Sequence, residues 1–96
     1  MSAPVLEFAD QSGKRVVSLK EQNVIGRGED CSVCVRSSTM GRQHGELNFE
    51  NGRWMLADLN SASGTWVDAR QLRASCELRD GQTFKMGNVE FALRLT

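Results

Sequence analysis

The chain has 96 residues, 12 of them basic and 12 acidic, a length that suits one small domain with a modest core. Balanced charge argues against a strongly basic nucleic-acid binder and against a polybasic membrane anchor. No apolar run is long enough to cross a bilayer, and the opening "MSAPVLEFADQ" lacks the basic start and apolar core of a signal peptide, so a cytoplasmic, non-inserted protein is expected.

In chain order the sequence reads as short strands. "VLEF" alternates apolar and polar residues, "QSGK" offers a turn, and "RVVSL" resumes. "NVIG", "SVCV", "GELNF", "RWMLADL", "GTWV", "QTFKM" and "VEFALRL" follow at short intervals. Asn51-Gly52 between two such runs is a strong hairpin signal, because both residues tolerate positive φ. Asp80-Gly81 and Gly87-Asn88 mark two further tight turns. No window holds a helical period, and there is no internal repeat, low-complexity segment or linker. An all-β sandwich or barrel is predicted, formed as a single domain over residues 1–96.

Candidate chemistry is sparse. His44, the only histidine, has Ser61, Ser63 and Asp58 as conceivable triad partners. However, no G-x-S-x-G elbow is present, and so small a sandwich has little room for a substrate pocket, so no enzyme is expected. Cys31 and Cys34 form a C-x-x-C, but "CSVCVR" reads as a strand, which sends side chains three apart to opposite faces. With only Cys76 and His44 left to complete a set, no metal and no cofactor are expected, and the three cysteines read as reduced, small core residues. Trp54 and Trp66, as strand aromatics, also read as core.

The segments around glycine and arginine are more informative. Gly26-Arg27 closes one strand-like run, Gly41-Arg42 follows another, and "LNSASGTWV" supplies Ser61, Ser63, Gly64 and Thr65. Arginines, hydroxyls and close-approaching backbone N–H groups are what an anionic phosphate requires. If these three loops meet at one end of the sandwich, they make an anion site.

Taken in order, "VIGRGEDCSVCV", "MGRQHGEL", "WMLADLNSASGTWVDARQL" and "LRDGQTFKMGNVEFAL" resemble a forkhead-associated (FHA) domain, from Val16 to Leu95. That family shows Gly-Arg, Ser-Arg-x-His, Asp-Leu-x-Ser-x-Asn-Gly-Thr and Leu-x-Asp-Gly-Asp. The resemblance implies a two-sheet sandwich of about eleven strands, whose loops at one end bind phosphothreonine in a partner protein. By the same resemblance Arg27 is the phosphate-binding arginine, Gly41, Arg42, Ser63 and Gly64 join it at the phosphopeptide, and Gly26, His44 and Ser61 brace the loops.

Two positions depart from the family. Gly41 stands where a phosphate-donating serine is usual, and Ser63 stands where an asparagine holds the partner's main chain. A weakened or atypical site is therefore expected, with Arg42, Arg36 and the N–H groups of Gly28, Arg42 and Gly64 as compensating donors. The alternative is a phosphate-independent scaffold for an unphosphorylated protein partner, in an assembly such as a secretion machine. Ser37, Ser38 and Thr39, beside these arginines, are candidate phosphorylation positions.

Overall fold

The computed structural model describes residues 4–95. Eleven strands run β1 (Val5–Asp10), β2 (Gly13–Ser18), β3 (Gln22–Gly26), β4 (Val33–Cys34), β5 (Gly45–Glu50), β6 (Arg53–Asp58), β7 (Thr65–Val67), β8 (Arg70–Gln71), β9 (Cys76–Leu78), β10 (Thr83–Met86) and β11 (Val89–Arg94). They form a six-stranded sheet in the order β2-β1-β11-β10-β7-β8 and a five-stranded sheet in the order β4-β3-β5-β6-β9. The expected all-β sandwich is present. Among the described residues no helix is long and apolar enough to cross a membrane.

The strands form where the alternation predicts them. Leu6 and Phe8 of β1, Leu47 of β5, Leu56 of β6, Phe84 and Met86 of β10, and Phe91 and Leu93 of β11 point inward, while their neighbours face out. Phe91 is the centre of this layer. It stacks on Phe84 at 4.9 Å and tilts against Phe8 at 4.9 Å. The β5–β6 hairpin turns through Asn51 and Gly52, at φ 52° and 78°, as the Asn-Gly pair predicts.

Three features differ from the sequence reading. The run "CSVCVR" yields only two strand residues, because β4 lies parallel to β3 at Ile25↔Val33 and Gly26↔Cys34 and then leaves the sheet edge. The two short strands β8 and β9 carry little alternation to announce them. Trp54 is buried at 8% exposure, but Trp66 is 38% exposed, since inward-pointing Thr65 and Val67 flank it and turn it outward.

The registers place the site. β3, β4, β6 and β10 run toward one end of the sandwich, β5, β7 and β11 away from it. The β4–β5, β6–β7 and β10–β11 connections therefore share that end, and the β3–β4 connection leaves from it before turning back to start β4 beside Ile25. The β1–β2 turn is anchored there too. Asp10 accepts from the N–H of Ser12 and Arg36 and from Arg15, which also reaches the Cys34 carbonyl. This one carboxylate ties the first hairpin to the segment leaving β4 across the sandwich.

Candidate functional site

The loops at this end are held by specific hydrogen bonds, and His44 is the hub. Its side chain is fully buried. The Gly41 N–H donates to Nδ1 at 3.0 Å, and Nε2 lies 2.8 Å from the Gly64 carbonyl. An N–H needs an acceptor and a carbonyl needs a donor, so the ring is the neutral tautomer with its proton on Nε2. Asp58 Oδ1 is 3.8 Å from Nε2, beyond hydrogen-bond reach, and with the ring neutral the two make no ion pair in this arrangement. Both ring nitrogens are occupied, leaving none for acid–base chemistry or a metal.

Asp58 shapes the β6–β7 loop from within. Its carboxylate accepts from the Ser61 N–H, the Ser61 hydroxyl and the Thr65 hydroxyl, and Ser61 Oγ in turn accepts from the Gly64 N–H. Burial pushes the Asp58 carboxyl up, but the bonds from Ser61 and Thr65, with the polar edge of His44 nearby, outweigh it and hold the group below its ordinary 3.8. At Asp10 burial also pushes up, and the Arg36 and Ser12 N–H groups with Arg15 again bring the net shift down.

A carboxyl depressed in the folded state stabilises above its unfolded pKa and loses that contribution as pH falls through the folded value. Unfolding free energy should therefore be flat above about pH 5 and fall below 3.8, the ordinary value for both groups. Urea unfolding at stepped pH measures this, and Asp58→Asn should make the acid limb shallower.

Arg27 leaves β3 directly after Gly26. Gly26 is required there, since a Cβ would run into the Arg42 carbonyl. The Arg27 N–H donates to the Gly41 carbonyl and its Nε to the Met40 carbonyl at 2.9 Å. Its Nη1 and Nη2 have no hydrogen-bond partner among the described residues. Arg42 is exposed, and neither arginine forms an ion pair among the described residues. Together with Gly28, Glu29 and Asp30 they line an open cleft of about 380 Å³.

The structure brings Arg27, Gly41, Arg42, Ser63, Gly64, Gly26, His44 and Ser61 into one loop cluster, with differing availability. Two of the proposed compensating donors are not spare: the Gly28 N–H bonds the Arg42 carbonyl at 3.1 Å, and the Gly64 N–H bonds Ser61 Oγ. Arg36 is held through its N–H by Asp10, with its side chain exposed. Ser63 donates its hydroxyl to the Thr39 carbonyl at 2.8 Å, so it retains an acceptor but no proton for a phosphate. Cys31 donates its thiol to the Arg42 carbonyl at 2.9 Å. Burial and the nearby Asp30 push that thiol up, which keeps it a protonated donor. Among the described residues, no group of three or more His, Cys, Asp or Glu side chains could hold a metal.

The sequence reading missed Glu29 and Asp30 as cleft residues and Thr39 and Asn88 as loop anchors. Glu29 and Asp30 directly follow Gly26-Arg27-Gly28, so their place beside the arginines was available from adjacency. Nothing in the sequence links Thr39 to Asn88.

The family model for the FHA domain matches residues 23–87, and the chain belongs to that family. FhaA of Mycobacterium tuberculosis is 31% identical over 90 residues, which are 94% of this chain and 17% of FhaA. FhaB of the same species is 23% identical over 86% of this chain and 54% of its own length. The chain thus spans only part of these relatives. A solved FHA domain from work on phosphothreonine-dependent FHA interactions superposes with a TM-score of 0.87 at 32% identity, covering 99% of this chain and 98% of that one. The FhaA FHA domain, solved in complex with the intracellular domain of Rv3910, gives 0.84 at 33% identity, covering 96% of this chain and all of that one.

Proposed function

We propose that this domain is a phosphothreonine-dependent protein-interaction module, with Arg27 as the principal phosphate ligand. The observation that carries it is the state of Arg27. Nε is fixed on the Met40 carbonyl, while Nη1 and Nη2 are unengaged beside the unpaired Arg42. A guanidinium anchored at one corner presents a two-pronged fork to a phosphate dianion with little ordering left to do. Arg42 adds a second charge. Ser63 Oγ can accept one N–H from the partner's main chain, a lesser grip than a side-chain amide offers.

The module acts by binding, and His44 serves its loops, since both ring nitrogens are occupied in loop bonds. Three free cysteines suit a reducing compartment, which supports a cytoplasmic site of action. Residues 1–96 are taken as one such module, whose partner is a threonine-phosphorylated protein.

The test is a backbone-amide NMR titration with a degenerate phosphothreonine peptide library beside its unphosphorylated twin. Saturable shifts at Gly26–Gly28 and Arg42–Gly45 with the phosphorylated library alone are expected. Equal shifts with both would favour the phosphate-independent scaffold, and no shifts would remove phosphate reading.

Gly41 supplies a second prediction. A Cβ there would meet nothing closer than 3.6 Å, and the residue lies outside the left-handed region. Gly41→Ser should fold normally and add a hydroxyl donor toward the phosphate. Calorimetry should show phosphopeptide binding tightened about tenfold, equivalent to about 1.4 kcal/mol.

A further inference from the structure

Four consecutive carbonyls, from Thr39 to Arg42, are each bound by a different group. Ser63 Oγ holds that of Thr39, Arg27 Nε that of Met40, the Arg27 N–H that of Gly41, and the Gly28 N–H with the Cys31 thiol that of Arg42. The segment is therefore the rail along which the site is aligned. Its upstream end is fixed by the Thr39 hydroxyl. Thr39 Oγ1 accepts the Asn88 N–H at 2.9 Å and shares a 2.8 Å bond with Ser37 Oγ. The turn is shaped for this contact: a Cβ on Gly87, at φ 57°, would lie 2.6 Å from Thr39 Oγ1.

One residue thus joins three connections: β4–β5 by its own chain, β6–β7 through its carbonyl, and β10–β11 through its hydroxyl. The next carbonyl along is the one that anchors Arg27. We propose that Thr39 is a positioning residue of the phosphate site: by clasping the β10–β11 turn against the binding loops, it sets the Met40 carbonyl and so aims the Arg27 guanidinium. This rests on the reading of Arg27 as the phosphate ligand. Ser63 is the second limb of the same clasp, and the turn at Gly87-Asn88, which need not touch the partner, tunes affinity from behind.

The experiment compares Thr39→Val, which keeps the shape and removes the hydroxyl, with Thr39→Ser, which keeps the hydroxyl. Each protein is first shown folded by its amide spectrum. The ¹⁵Nε–¹Hε resonance of Arg27 is then recorded, and a phosphothreonine peptide is titrated by calorimetry. Thr39→Val should move or broaden the Arg27 Nε resonance and weaken binding about tenfold, as loss of a positioning hydrogen bond does. Thr39→Ser should restore both. An unmoved Arg27 resonance with wild-type affinity in Thr39→Val overturns the proposal, as does a Thr39→Ser protein that fails as fully as Thr39→Val. If wild-type protein binds no phosphopeptide, the reading of Arg27 falls, and an unmoved Nε resonance in Thr39→Val separately removes the clasp.

Discussion

Arg27→Ala should abolish measurable phosphopeptide binding while leaving a folded domain. The phosphate would lose two charge-assisted bonds from Nη1 and Nη2, each about 1.5–3 kcal/mol. A loss of about 3 kcal/mol or more corresponds to at least about a hundredfold weaker affinity. The fold loses less. Arg27 is exposed, and its internal side-chain bond is the single one from Nε to the Met40 carbonyl. Losing that bond costs about 1 kcal/mol, or about 4–8 °C in melting temperature for a domain of this size. Arg27→Lys should fall between, since it keeps the charge and loses the planar fork. Calorimetry with one phosphopeptide across the three proteins, beside thermal melts, checks both parts. An Arg27→Ala protein that binds as wild type would remove Arg27 from the site.

His44→Ala should instead damage the fold and the site together. The ring is fully buried, and its loss leaves the buried Gly64 carbonyl and the half-buried Gly41 N–H without partners. Each orphaned group costs about 1–3 kcal/mol, and the vacated volume adds a cavity penalty. A destabilisation of about 3 kcal/mol or more is expected, lowering the melting temperature by about 12–24 °C. Binding should fall as well, because Gly41 accepts from the Arg27 N–H and lies next to the carbonyl that holds Arg27 Nε. His44→Phe separates the causes: it fills the volume without replacing either bond, and should remain well below wild type. Urea unfolding of the three proteins measures this, and a His44→Phe protein as stable as wild type would assign the role to packing alone.

The sandwich was legible because half-buried strands imprint a period of two on the sequence. Leu6 and Phe8, or Phe91 and Leu93, announce their inward faces by alternation, and Asn51-Gly52 announces its turn by the φ values it tolerates. Trp66 was misread because being aromatic favours burial without deciding which side of a strand a residue occupies. Its register beside Thr65 and Val67 decided that. Arg27 and His44 were legible as family positions, since Gly26-Arg27 and Arg42-Gln43-His44 stand in the family's order and spacing. The availability of each donor was not. The N–H groups of Gly28 and Gly64 look spare in the sequence and are bound in the fold, because a carbonyl and a hydroxyl from other positions lie against them.

The sequence by itself determined the all-β class, the hairpins β1–β2, β5–β6 and β10–β11, the family, and which arginine and histidine the proposed site uses, because alternation, turn chemistry and motif order are local properties of the chain. Tertiary structure alone decided which hydrogen-bonding groups remain open to a phosphate and what aims them. The tautomer of His44 depends on Gly41 and Gly64 together, and the Thr39 clasp depends on Asn88, 49 residues along the chain. Such bonds arise only when strand register brings distant main-chain groups within about 3 Å of one another, a condition that no stretch of neighbouring residues specifies.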